Sequence, residues 1–399
     1  MKIVRIGLIC FCVLALSQML CFGSEGGKPW QLRIGVFANY DDNYNYSEDD
    51  PKDTFGIRIE PDIFMNMSWP RTIFTIGYKP AYIVWNDRED DNDDFDHDLY
   101  MNFVHGISTR TQFALNNYLR RSEQPELIED GQLVRPNGDY WWDSLRAVVS
   151  VASSAGLGAE LTALYRFLRF DEHATWPYAR QLDADTYGGG ATIWWKAGSK
   201  TSIGAQAMYE DQVYDTTDLG DRGSQGLLLA LRLRHALSRY LSVNAEGGYQ
   251  RRDFNEAVTD ATERPYGSVG LHIRPSPRTR FQLKGAYRMD TTDAWPYANQ
   301  THVVVSGSMD YGLTEKLNCS ASLRYDRGDF EADEAIEGTG AMDDGTEEQL
   351  MGSVGVSYDM NRNHQLDARW NVRDFNTNVP STRSDYMRNY VQVGWRMLF

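Results

Sequence analysis

The sequence predicts an all-β fold: a transmembrane, antiparallel, up-and-down β-barrel of about eighteen strands, or sixteen if two weak segments do not span. Three observations predict it. Apolar residues recur at period two in segment after segment from Trp30 to the C-terminus, the pattern of a strand with one oily and one wet face. The connections alternate between short and long, as hairpins crossing a membrane require. After the N-terminal leader no run reaches the roughly 18 apolar residues of a membrane helix, although 13% of the chain is aromatic. A barrel passes such a test unseen, because only alternate residues touch lipid, and a mean hydropathy of -0.52 is compatible with spanning.

Taken in chain order, the leader comes first. Lys2 and Arg5 precede an apolar run over residues 6–22, and the small residues Gly23 and Ser24 follow. That is the layout of a secretory signal peptide, residues 1–23, which leaves 24–399 as one barrel domain. Leu20 stands before Cys21 where a lipidated cysteine wants a small residue, so cleavage without lipidation is expected. Cys10, Cys12 and Cys21 all lie in the leader. The exported chain keeps only Cys319, which excludes an intrachain disulfide and a thiolate metal site.

The short joins fall at residues 68–71, 108–111, 153–155, 198–200, 238–239, 275–279, 314–315 and 361–363, rich in the Ser, Gly, Pro and Asn that tight hairpin turns need. The nine long joins fall at 41–53, 86–98, 122–139, 171–185, 211–223, 253–263, 290–299, 326–348 and 374–385. Strands climbing toward the long joins end on an aromatic in phase with their apolar face: Tyr40, Tyr82, Tyr165, Tyr209, Tyr249, Tyr287, Tyr325 and Trp370. Rings at that height form an interfacial girdle. Tyr118 is the exception, out of phase with Phe113 and Leu115. Three climbing strands continue identically, with an aromatic, three residues, then Asp-Phe: Tyr249 to Asp253-Phe254, Tyr325 to Asp329-Phe330 and Trp370 to Asp374-Phe375. This is a repeated way of leaving the membrane rather than a binding motif.

Charge is divided by place. The nine long joins hold 45 of the 56 acidic residues and 7 of the 40 basic ones, so the net -16 hides a basic wall. By alternation Arg33, Arg58, Arg146, Arg166, Arg232, Arg234, Lys284, Arg288, Arg324 and Arg369 point into the lumen and are the candidate channel-lining cations. Glu60, Asp62, Glu160, Glu210, Glu246 and Asp367 face them. Either these groups pair and merely hydrate and stiffen the wall, or they give the lumen a positive potential that favours anions. Most remaining lumen positions are Ser, Gly, Asn or Thr, which favours an open bore over one filled by bulky side chains.

Other chemistries find little support. In the acidic join 86–98, taking Asp90 as first ligand puts Phe95 where an EF-hand needs Gly and Met101 where it needs Glu, so a hydrated loop is expected and no metal. The histidines stand singly, and His272 and His302 read as polar wall residues outside any nucleophile motif. No Gly-rich phosphate cradle exists, and neither a cofactor, an enzyme activity nor a nucleic-acid partner is expected. A plugged, energy-coupled transporter does not fit a first strand that begins where the mature chain does. Residues 176–179 and 295–298 share Trp-Pro-Tyr-Ala, read as copied hairpin tips that pack on each other.

The last strand places Val391, Val393, Trp395, Met397 and the terminal Phe399 on one face. It resembles the closing strand of bacterial outer-membrane β-barrels, where this pattern is the assembly signal, and the resemblance gives Trp395 and Phe399 that role. The layout resembles porin-like outer-membrane proteins and, more narrowly, the putative β-barrel porin type, some of which are associated with exopolysaccharide systems. The resemblance implies the cell outer membrane of a diderm bacterium, with the barrel-assembly machinery and outer-membrane lipid or lipopolysaccharide as partners. It implies a passive aqueous channel for small hydrophilic solutes. The alternative is a non-transport barrel acting in exopolysaccharide export or attachment, adhesion or envelope organisation. In general diffusion porins the third long loop folds into the bore, which implies constriction-loop roles for Glu123, Glu126, Glu129 and Asp130.

Overall fold

The structure, a computed structural model, describes residues 29–86, 88, 93–122, 139–153, 155–170, 182–215, 221–255, 261–292, 294, 297–331, 343–379 and 385–399. The leader and Glu123, Glu126, Glu129 and Asp130 lie outside them. Eighteen strands follow one another: β1 Trp30–Asp41, β2 Thr54–Trp69, β3 Thr72–Trp85, β4 Asp93–Gly106, β5 Thr111–Ser122 and β6 Tyr140–Ala152. Then come β7 Leu157–Phe170, β8 Ala184–Lys196, β9 Thr201–Tyr214, β10 Ser224–Ala236, β11 Leu241–Phe254 and β12 Ala261–Ser276. The last are β13 Thr279–Thr291, β14 Asn299–Gly312, β15 Leu317–Phe330, β16 Gly345–Asp359, β17 His364–Thr377 and β18 Tyr386–Leu398.

Each strand pairs antiparallel with its sequence neighbours, and β1 pairs with β18 from Arg33 opposite Leu398 to Asp41 opposite Tyr390. Closure follows from the solvent. A free edge in hydrocarbon would leave amides unsatisfied at several kcal/mol each, so spanning strands must end by pairing with the first. The exterior is oily where the alternation puts it: Leu227, Leu229, Leu231 and Leu233 on β10 are exposed, and Leu323 and Val354 likewise on β15 and β16.

Apart from the irregularity at Ile273–Ser276 beside a short turn, which holds Pro275, two interruptions of the ladder carry a proline on one side or both. Between β2 and β3 the rungs stop at Ile59–Tyr82 and resume at Ile63–Tyr78, and that register sets Pro61 opposite Pro80. Neither can donate, so the two gaps coincide and no neighbouring strand is left short. Between β12 and β13 pairing ends at Gly267–Tyr287. Above that rung β12 continues on β11 up to Ala261, and β13 continues on β14 up to Thr291. The register would set Pro265 opposite Met289, so the missing N–H falls where the strands part.

A basic chamber beneath an inward-folded hairpin

The wall of the bore is kept thin by laying rings flat on glycines. Phe37, pointing inward on β1, covers Gly35 and Gly394, Tyr100 covers Gly77, and Trp194 covers Gly204; a Cβ on any of these glycines would overlap the ring. Trp194 in turn carries the guanidinium groups of Arg234 and Arg232 at 4.2 and 5.1 Å from its ring centre, a favourable cation–π arrangement.

Around the closing seam most of the inward charges pair. Glu60 receives Arg58 at 3.0 Å, Lys79 at 3.1 Å and Arg396 at 3.6 Å. Arg58 also reaches Asp96 at 3.1 Å, and Arg33 lies 3.9 Å from Asp62. Arg388 and Asp41, both almost wholly buried, form a bidentate pair at the extracellular end.

Across the bore the balance differs. A chamber of about 770 Å³ is lined by Arg146, Arg166, Arg232, Arg252 and Arg288 against Glu210, Glu246 and Asp290. Arg166 pairs with Glu210 at 2.9 Å, Arg288 with Asp290 at 2.7 Å, and Arg232 with Glu246. Among the described residues Arg146 meets no carboxylate, nor do Arg234 on the same strand face as Arg232 and Lys284 below Arg288. A second chamber of about 570 Å³, at the periplasmic end beside β14 to β1, is lined by Arg369, Arg396 and Asp367. Arg324 belongs to neither; it holds Asp326 at 2.6 Å, and Asp326 also binds the buried His302 at 2.7 Å. Of the ten predicted cations, six are therefore tied to carboxylates, and Arg146, Arg234, Lys284 and Arg369 are not so tied among the described residues.

The extracellular end departs from the expected lumen of small polar residues. Trp85, Tyr140, Trp142, Phe170, Phe254, Phe330 and Phe375 occupy inward positions there and are buried. The aromatic-x3-Asp-Phe repeat now has a reason. Its first ring lies outside and is bonded in the girdle, as Tyr249 to Glu263 at 2.7 Å, Tyr325 to Glu348 at 3.1 Å and Trp370 to Asn389 at 3.1 Å. Its Phe, an odd number of residues on, turns inward and packs the rim. Tyr118, out of phase in sequence, is inside, donating to Asp98 at 2.7 Å.

The described part of the β13–β14 tip lies across this mouth. Tyr297 packs against Phe330 with ring centres 5.2 Å apart and the rings tilted by 52°, and it clusters with Ala294 and Val379. Its hydroxyl donates to the Asp343 carbonyl at 2.6 Å. From the opposite side Arg222, ahead of β10, donates to the carbonyls of Thr292 and Tyr297. Gln250 of β11 reaches past β12 to bond Met289 twice, its Nε2 donating to the Met289 carbonyl at 2.6 Å and its Oε1 accepting from the Met289 N–H at 3.2 Å. Contacts from Arg222, ahead of β10, to Val379, after β17, place the described part of the tip inside the rim. Composition gave no sign of this; Pro265 and the second Trp-Pro-Tyr-Ala were the signals available. The first copy, at 176–179, lies outside the described residues.

Among solved structures the chain is similar to OpdQ of Pseudomonas aeruginosa at 11% identity, covering 93% of this chain and 98% of that one, with a TM-score of 0.47. It is similar to OccK3 (OpdO) of Pseudomonas aeruginosa at 12% identity, covering 93% and 96%, with a TM-score of 0.47. The siderophore receptor PirA of Pseudomonas aeruginosa matches at 8% identity over 94% of this chain and 81% of its own, with a TM-score of 0.45. No curated protein matches. The sequence profile of one family matches residues 178–300 and 268–399, more than half of the chain. A closed eighteen-strand barrel with this match belongs to the family described as putative beta-barrel porin 2, an outer-membrane barrel family.

Proposed function

We propose that the protein is a passive aqueous channel for small hydrophilic solutes and that it favours anions. The observation that carries the reading is the unequal wall: beside the closing seam Arg33, Arg58, Lys79 and Arg396 each meet a carboxylate, whereas the opposite side sets five arginines against three carboxylates around one chamber, with Arg166 and Arg252 sharing Glu210 and Arg146 meeting none among the described residues. A low-dielectric wall concentrates such an excess into a potential along the bore, which raises the local concentration of anions.

Arg146, Arg234 and Lys284 are the residues to change, because removing them leaves the Arg232–Glu246 and Arg288–Asp290 clamps intact. Purified protein in a planar bilayer under a KCl gradient is expected to give an anion-selective reversal potential. The triple replacement by Ser should move that potential toward cation selectivity. A potential unmoved by the replacement would refute the anion preference. A bilayer that stays silent with intact protein and with a variant lacking the β13–β14 tip would instead favour a barrel serving envelope organisation or polysaccharide attachment.

A further inference from the structure

We propose that Asn102, Asn116 and Arg146 form a binding row for one class of solute, a small monocarboxylate that also carries hydroxyl groups. The inference rests on the channel reading and names what passes. β4, β5 and β6 set the three residues directly opposite one another, Asn102 against Asn116 and Asn116 against Arg146. All three line the chamber, and Asn116 and Arg146 are exposed to it. Cross-strand neighbours stand about 5 Å apart at Cβ, so the row runs for about 10 Å, the reach of a short hydroxylated acid laid across the wall.

The row is open because the carboxylates around it are taken. Glu210 receives Arg166 at 2.9 Å on one oxygen and lies 3.8 Å from Arg252 with the other. Asp98 receives Tyr118 and Arg120, each at 2.7 Å. Asp143 is an odd number of residues from Arg146 and faces outward, where it accepts from Asn117 at 2.7 Å. Among the described residues Arg146 meets no carboxylate, and neither Asn102 nor Asn116 has a side-chain partner.

The residue types choose the ligand. A guanidinium binds a carboxylate through two parallel N–H···O bonds, and a single guanidinium matches a single negative charge. Each Asn adds a carbonyl that accepts and an amide nitrogen that donates, a pairing that a hydroxyl completes and an aliphatic acid does not. Two residues nearer the extracellular end the same strands present Tyr100, Tyr118 and Ser144; two residues nearer the periplasm they present Val104, Ala114 and Val148. Hydroxyls thus find polar partners along the row and on one side of it, and the carbon skeleton finds an aliphatic shelf on the other.

The test is the KCl current through full-length protein in planar bilayers, with gluconate, hexanoate and sorbitol as probes and the gel mobility of unboiled samples reporting that each variant has closed. Gluconate should reduce or interrupt the current at a concentration at least about tenfold below that needed of hexanoate, which lacks the hydroxyls, or of sorbitol, which lacks the charge. Arg146→Ser should raise the gluconate concentration required by about tenfold or more. Asn116→Leu should raise it for gluconate and leave it unchanged for hexanoate. Lys284→Ser removes one cation from β13, outside the row, and should weaken both acids alike. Equal potency of gluconate and hexanoate, or equal effects of Arg146→Ser and Lys284→Ser on gluconate, would overturn the row while leaving the channel reading in place. Silence of the unaltered protein and of the variant lacking the β13–β14 tip would overturn the channel reading and the row with it. Where only the latter conducts, the same probes are read in it.

Discussion

At the scale of single residues, the bore depends on glycines that have no role in turning the chain. Gly394 and Gly35 are flat seats for Phe37, and a Cβ at Gly394 would overlap both the ring and the Val36 carbonyl. The ring has no slack, since Arg396 lies over it at 5.3 Å from its centre and Phe37 is 2% exposed. Gly394→Ala is expected to cost about 1–3 kcal/mol, the usual range for overpacking a filled site. Adding Phe37→Leu should recover part of the loss, because a smaller side chain can leave the seat. The midpoint temperature at which unboiled protein loses its fast gel mobility measures both. Equal midpoints for Gly394→Ala and the unaltered protein would show that the ring is free to lift. None of this was legible in the sequence. Glycine on a strand signals close approach, but which ring approaches depends on the register of the neighbouring strand.

At the scale of elements, legibility was highest. Strand number, order and the short and long joins follow from alternation and turn residues, because each strand meets lipid on one side and water on the other, and a slip of one residue would exchange them. The girdle tyrosines follow for the same reason. What alternation cannot show is where pairing stops. Pro61 and Pro80 leave the barrel intact because they face each other, while Pro265 faces Met289 and parts two strands. The buried extracellular rim was equally hidden, since Phe254, Phe330 and Phe375 differ from wall residues only in lying beyond the girdle. Leu231 and Gln206 test the alternation at nearly one height, as Ala230 stands opposite Gln206. Leu231 is 68% exposed on the lipid side, and Gln206 lines the chamber. Leu231→Lys should cost about 2–4 kcal/mol near the bilayer midplane, and Gln206→Lys far less. Unfolding in urea from lipid vesicles reads the difference, and equal losses would mean that the two faces are misassigned.

For the molecule as a whole the decisive contact is the one that joins its two ends. The seam between β1 and β18 links residues more than three hundred positions apart, so its closure is the costliest in chain entropy. Backbone pairing alone is supplemented where the seam meets water. Phe399 donates to the Leu32 carbonyl at 2.9 Å at one end; at the other, Asp42 accepts from the Asn389 N–H at 2.6 Å and its side chain at 2.7 Å. Above them Arg388 grips Asp41 and donates to the Tyr46 hydroxyl at 2.6 Å. Tyr46 holds a left-handed backbone, φ 53°, to reach that place, and burial pushes its hydroxyl up to about 12, so it stays protonated. Strain of that kind persists only where surrounding contacts impose it. Arg388→Met would strand Asp41, which is wholly buried, and such a loss costs about 3–5 kcal/mol. Because the stranded charge sits on the seam, the loss should fall on closure itself, lowering the temperature at which the compact gel form disappears and slowing its appearance on refolding into detergent. Arg251→Met removes an exterior arginine whose partners, Asp253 at 2.9 Å and Glu263 at 3.5 Å, stay in water, and it should leave both readings unchanged. If the two variants behave alike, the seam is held by its ladder and the clamp above it contributes nothing to closure.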